Sequence, residues 1–315
     1  MASFDVVNYT IRPNKNIERK LVFESLRELS TPLGLGDYRY IGLGSPWFID
    51  FLLAHRYLLI RDMICIEFEE HAPRMEFNKP YDCIAVHQGP TSEVFPKLDL
   101  ASRSSVIWLD YDTGPEGPVL EDVEFIVNHA KAGTILLITL NAHRDRLPSK
   151  DSDGRIFENK EQAIRFQFKE LAPATLPVGA TNVEGYPKLL SQILFTHAHR
   201  SVHRSGKGYK FLSMFNFYYK DGAPMITIGG LLSDDSHEQT YRASEMKKFE
   251  WVTGEEQFAI LAPPLTVKEK LTLDRLLPRA TPPTSVEIGF TLSETQLSAY
   301  HKLYRLYPLF GEFQV

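Results

Sequence analysis

Asp110 and Asp112 close the run VIWLDYD, Glu67 closes MICIE, and Gly42 and Gly44 interrupt YIGLGSPWF. Each group stands where an apolar stretch gives way to polar residues, the place at which a strand hands its last side chains to solvent. A carboxylate there is competent to accept a proton, to accept hydrogen bonds from hydroxyls, or to bind a divalent cation. Two glycines one residue apart leave backbone without a Cβ, so a ligand can come close to the chain. A pyrophosphate-binding turn would use a third glycine three residues further on, and Trp47 stands there instead.

Other residues join these by position. Glu67 follows Gly44 by about 23 positions, the spacing at which a strand-end acid meets ribose hydroxyls in nucleotide-binding sheets. Phe68 is beside it, able to pack on a flat ring or into the core. In VHQGPTSEVF, Gly89 permits a tight turn, Gln88 offers an amide, and Thr91 or Ser92 is expected to cap the next helix. RPNKNIERK sets Arg12 and Lys15 at a helix start, where the dipole disfavours cations, so they are read as solvent-exposed or as holding an anion. His199 and His203 have the helical spacing of metal ligands but lack an evident third. Asp110, Asp112 and Asn141 form a second, minor metal option.

The elements that must position these groups follow from periodicity. Residues 16–29 carry Ile17, Leu21, Val22, Leu26 and Leu29 on one helical face. Strands are expected at 37–43, 63–67, 83–87, 105–110 and 133–140, separated by short helices at 48–57, 69–77, 92–98 and 121–131. Such alternation predicts an α/β chain with a Rossmann-like, doubly wound, mostly parallel sheet whose strand carboxyl ends share one rim. Two helices, 160–171 and 186–203, precede KFLSMFNFYYKDGAPMITIGGLL, two apolar strands joined at Asp221-Gly222 in an antiparallel hairpin. Residues 1–235 are thus expected to form the sheet domain with an N-terminal helical segment. Residues 236–315, charged and proline-punctuated, are expected to form a helical C-terminal subdomain.

Bulk properties narrow the classes. The chain has 315 residues, 43% hydrophobic and 24% charged, which suits a globular protein with a real core. A net charge of -5 argues against wholesale nucleic-acid binding. The longest apolar runs are too short to span a bilayer, and the N-terminus lacks the build of a signal peptide. The two cysteines, Cys65 and Cys83, lie in apolar runs and read as buried thiols in a reducing, cytoplasmic setting.

The glycine turn of Gly42 and Gly44, the acid ending strand two and the closing hairpin together resemble the class I S-adenosylmethionine-dependent methyltransferases over residues 37 to 232. That resemblance implies S-adenosylmethionine as cofactor, a molecule without phosphate that tolerates Trp47. It places the cofactor on Gly42, Gly44, Ser45, Glu67, Phe68, Gln88 and Gly89. It makes Asp110 and Asp112 the catalytic candidates, aligning or deprotonating an oxygen or nitrogen acceptor, with Arg12 and Lys15 binding that acceptor and no metal required. The loop lacks the Asn/Asp-Pro-Pro-aromatic signature of methyltransferases acting on adenine or cytosine. The acceptor is left open among nucleic acid, nucleotide, protein and small metabolite, and the oligomeric state is open as well. Two alternatives stand beside this reading: a non-catalytic Rossmann-like binding protein, and a nucleotide-dependent enzyme.

Overall fold

A computed structural model describes residues 12–115 and 117–308. The first eleven residues of the N-terminal segment and the last seven of the C-terminal part lie outside the described residues. In chain order the strands are β1 (Arg39–Leu43), β2 (Asp62–Glu67), β3 (Ile84–Gln88), β4 (Ser105–Asp110), β5 (Ile135–Asn141), β6 (Lys210–Asp221), β7 (Ala223–Ser233) and β8 (Phe258–Ile260). The helices are α1 (Pro13–Leu33), α2 (Ile49–Leu58), α3 (Ala72–Asn78), α4 (Thr91–Val94), α5 (Gly117–His129), α6 (Lys160–Phe168), α7 (Gly185–Arg204), α8 (Asp235–Ala243), α9 (Val267–Asp274), α10 (Ser285–Ile288) and α11 (Glu294–Leu303).

One eight-stranded sheet has the order β3-β2-β1-β4-β5-β7-β6-β8. The five leading strands are parallel, and β7 enters antiparallel between β5 and β6. Gly222 turns the hairpin at φ 108°, a value glycine adopts without penalty. Every residue of β5 is buried, as expected of a central strand with helices on both faces. Two apolar clusters lie on either side of the sheet, one built with α1 and α2, the other with α5, α6 and α7.

Register sets the rim. Gly42 lies opposite Cys65 and Trp108, Glu67 opposite Gln88, and Asp110 opposite Thr139. The carboxyl ends of β1 to β4 therefore deliver Gly44, Glu67, Gln88 and Asp110 to one edge of the sheet. Because β6 is parallel to β8 and runs with β5, Asp221 reaches the same edge.

The doubly wound sheet with its hairpin is as expected, and two features differ. The C-terminal part is mostly helical but adds β8, a three-residue strand on the β6 edge. Such a strand is too short to show a period. Moreover, Leu273, Ile288, Leu297, Tyr300 and Leu303 join the same apolar cluster as α1, so this part shares a core with the sheet. No described helix is long and apolar enough to cross a membrane.

Candidate active site

The turn after β1 begins at Gly44, whose N–H donates to the carbonyl of Ile66 at 2.9 Å. Ser45 follows, its carbonyl accepting from the N–H of Phe48 at 3.0 Å. Pro46 thus occupies the second position of a tight turn, where its fixed φ is favourable. α2 starts at Ile49, and Phe48 precedes it at φ 48°. A buried non-glycine residue in the left-handed region is strained and is held there by packing, here an edge contact with Phe51 at 5.2 Å.

The two glycines serve different ends. A Cβ on Gly44 would lie 2.5 Å from Oε2 and 3.0 Å from Cβ of Glu67. A Cβ on Gly42 would instead meet Tyr40 at 3.0 Å and Phe51 at 3.3 Å, inside the core. Gly44 therefore keeps the Glu67 carboxylate in place, while Gly42 lets two aromatic rings close beneath the turn.

Glu67 is 9% exposed, and its Oε1 accepts from the N–H of Phe68 at 2.9 Å. Burial raises its pKa; the Phe68 N–H and the nearby His71 oppose that shift, and Asp112 and Glu70 add to it. Phe68 is 59% exposed, which removes the core-packing reading and leaves its ring open at the rim. Gly89 takes φ 121° and donates its N–H to the carbonyl of Glu67 at 2.9 Å, so the loop after β3 folds back on the end of β2. Gln88 is exposed beside it.

Asp110 stands at the other side of the turn in a different setting. The Lys15 ammonium lies 2.9 Å from Asp110 Oδ2 and 2.9 Å from Glu18 Oε2, with the Trp108 ring 4.8 Å away. Arg19 reaches Asp50 of α2 at 2.6 Å and Asp110 at 4.0 Å. Glu18 also accepts from the Thr227 hydroxyl, which pairs with Thr139 at 2.7 Å. Burial opposes ionisation of Asp110, yet Lys15, Arg19 and Arg12 outweigh it and hold its carboxyl below the usual range. Glu18 goes the other way, pushed up by burial more than Lys15 pulls it down. Asp112 is exposed on the following loop.

Lys15 is 1% exposed. The expected solvent-facing position, or direct contact with an external anion, is therefore corrected: its anions are Glu18 and Asp110 within the chain. The start of α1 is fixed by a residue far away in sequence. Asp221 accepts from the N–H groups of Asn14 at 3.1 Å and Lys15 at 2.8 Å, supplying from the hairpin the cap that Arg12 does not.

Sequence reasoning missed Glu18, Asp50 and Thr227. One signal for the α1 residues was present: Lys15, Glu18 and Arg19 extend the helical stripe of Val22, Leu26 and Leu29 toward the N-terminus. Thr91 was expected to cap α4, but its hydroxyl donates to Asp122 at 2.5 Å. The histidines of α7 lie toward the opposite edge of the sheet, where β6 begins. His197 meets the carbonyl of Leu120 at 2.8 Å and His199 meets Glu255 at 2.8 Å. Among the described residues no cluster of three or more His, Cys, Asp or Glu side chains is suited to hold a metal ion.

Among solved structures, the chain is similar to Trm1 from Pyrococcus horikoshii with S-adenosyl-L-methionine, at 13% identity and a TM-score of 0.46 over 71% of this chain and 57% of that one. It is similar also to human N-acetylserotonin methyltransferase with the same compound, at 14% identity and a TM-score of 0.33 over 70% and 56%. A third is an S-adenosylmethionine-dependent methyltransferase from Mesorhizobium loti, at 13% identity and a TM-score of 0.36 over 62% and 92%. The chain thus spans little more than half the length of the first two. No curated protein sequence matches it. Residues 7–315 match the family Methyltransf_35, described as "Putative O-methyltransferase", and the chain belongs to that family.

Proposed function

We propose that this methyltransferase methylates a hydroxyl on an anion-bearing acceptor, held at the rim between α1 and the end of β4. The observation that carries the cofactor half is the contact between Gly44 and Glu67: one added methyl would displace the strand-end carboxylate. A cradle of that kind fits a cofactor with ribose hydroxyls, which Glu67 would accept while Gly44 and Ser45 shape the turn. Exposed Phe68 and Gln88 are available to the adenine, and Gly89 holds their loop against β2. When bound, S-adenosylmethionine supplies a methyl group on a sulfonium, an electrophile that no side chain provides.

Asp110 is the residue for the acceptor. Its fixed carboxylate accepts the hydroxyl hydrogen and aligns the oxygen, and alignment is a large part of catalysis in an in-line transfer. A depressed pKa makes it a weak base, so orientation outweighs early proton abstraction; the hydroxyl proton leaves by way of Asp110 to water as the new O–C bond forms and S-adenosylhomocysteine departs. Arg12, Lys15 and Arg19 all act on Asp110, so the rim beside it is flanked by cations from the start of α1. That flank supports an acceptor with negative charge. Lys15 acts through Asp110, and the direct contact falls to Arg12. Asp112 is the second candidate on the same loop. Oxygen as the accepting atom follows the family's description. The free thiols of Cys65 and Cys83 support a reducing, cytoplasmic setting.

The test is calorimetry with S-adenosylhomocysteine on wild type, Gly44→Val and Glu67→Ala, followed by methyl transfer to hydroxylated aromatic acids. Loss of charged hydrogen bonds worth about 1.5–3 kcal/mol should weaken binding roughly tenfold to hundredfold. Wild-type binding by both folded variants would show that the cofactor lies elsewhere. In the transfer assay, Asp110→Asn should lower turnover and leave cofactor affinity nearly intact; unchanged turnover would remove Asp110 from the reaction.

A further inference from the structure

Asp122 lies on α5, is 3% exposed, and has no part in the contacts described so far except with Thr91. Its Oδ2 accepts from two hydroxyls, Thr91 Oγ1 at 2.5 Å and the phenol of Tyr111. Thr91 opens α4 directly after Gly89 and Pro90, and Tyr111 stands between Asp110 and Asp112. One oxygen therefore ties the loop after β3 to the loop after β4. Each loop is also anchored on its strand side, Gly89 N–H to the carbonyl of Glu67 at 2.9 Å and Tyr111 N–H to that of Thr139 at 3.0 Å. The Asp122 tie closes both loops on the outer side.

We propose that Asp122 is a positioning residue that couples the cofactor loop, with Gln88 and Gly89, to the acceptor loop, with Asp110 and Asp112. This rests on the cofactor and acceptor assignments above. Burial pushes the carboxyl of Asp122 up, against the pull of its two donors, and burial likewise raises the Tyr111 phenol. A buried acid pays a desolvation cost that an apolar residue would avoid, and here that acid sits where the two functional loops meet. Two donors on one acceptor also make the loops interdependent, because losing either donor changes how the carboxylate settles on the other.

Four variants separate coupling from mere support. Thr91→Val removes the cofactor-side donor, Tyr111→Phe the acceptor-side donor, and Asp122→Leu the carboxylate that accepts from both. Asp122→Asn keeps a carbonyl oxygen able to accept from both. Affinity for S-adenosylhomocysteine should fall about fivefold to tenfold in Thr91→Val and Asp122→Leu. It should return to within about twofold of wild type in Asp122→Asn. Tyr111→Phe should weaken binding as well, although Tyr111 is on the other loop, and Thr91→Val with Tyr111→Phe should do little more than the worse single change. Hydrogen exchange supplies the readout that general destabilisation would not mimic: ligand should protect residues 88–91 and 110–113 together in wild type, and only 88–91 in Tyr111→Phe. A wild type that does not bind overturns the cofactor reading and this coupling with it. A wild type that binds while Tyr111→Phe and Asp122→Leu bind equally well, with both loops still protected together, overturns the coupling alone.

Discussion

Two carboxylates end β2 and β4, the parallel strands on either side of β1, on one rim, and their surroundings drive them in opposite directions. Asp110 is met by Lys15 and Arg19 from α1 and is held ionised below its usual range. Glu67 receives a backbone N–H from Phe68, and burial pushes its pKa up. The first is held in a charge network by cations of α1. The second is a buried acid whose ionised form lacks comparable support, an arrangement that weakens a fold unless a ligand makes use of it. On the function proposed above, the contrast separates two roles: Asp110 is prepared in advance, whereas Glu67 awaits hydroxyl donors.

The largest effect should come from breaking the prepared side. Lys15→Met removes the cation between Glu18 and Asp110, and stripping one partner from a buried pair costs about 3–5 kcal/mol. Glu18, already biased toward its neutral form, softens the loss by taking up a proton. The melting temperature should drop by several degrees. Asp110 would also lose the charge that depresses its pKa, so the acid limb of activity should move to higher pH. A variant with wild-type melting temperature and pH profile would show that Lys15 does not hold Asp110.

The two sides were unequally legible in the sequence. Gly44 and Glu67 stood out because each ends a strand, and strand ends are local: a period and its interruption suffice. Asp110 was found by the same signal. Its pairing was not, because Lys15 and Arg19 come from a helix nearly a hundred residues earlier, and charges at a helix start ordinarily read as solvated. Thr227 and Asp221 act across more than two hundred positions, through a hairpin whose existence was clear but whose placement over α1 was not. Gly42 was legible as a glycine but not in purpose, since the rings of Tyr40 and Phe51 that fill its space are on β1 and α2. Strand β8 was invisible for want of length.

A smaller effect should come from neutralising the waiting side. Glu67→Gln keeps the shape and removes the charge. The folded pKa of Glu67 is raised, so the stability it contributes is present below its unfolded pKa of about 4.3 and is lost as pH rises through the folded value. At neutral pH the substitution should therefore raise the melting temperature of the ligand-free protein while weakening S-adenosylhomocysteine roughly tenfold. Gly44→Ala should weaken the ligand through the same carboxylate, whereas Gly42→Ala should lower stability through Tyr40 and Phe51 with a lesser change in affinity. Equal behaviour of the two alanine variants in both assays would remove the distinction between the glycines.

The smallest expected effect bears on Asp112, on the loop after β4. Asp112 is exposed, and its charge is one of the influences that raise the pKa of Glu67. Asp112→Asn removes a like charge, so the folded pKa of Glu67 should fall and ionised Glu67 should oppose folding less at neutral pH. The melting temperature should rise by less than in Glu67→Gln, because solvent screens a charge on an exposed loop. The gain should shrink with added salt and vanish at about pH 3, where Glu67 is protonated in both proteins. Most telling is the double variant: combined with Glu67→Gln, Asp112→Asn should add no further stability, since the only route proposed for its effect has been removed. Thermal unfolding of wild type, the two single variants and the double variant at neutral pH measures that coupling. A gain that persists undiminished in the Glu67→Gln background would mean that Asp112 acts on the loop itself, and its electrostatic link to the cofactor carboxylate would be wrong.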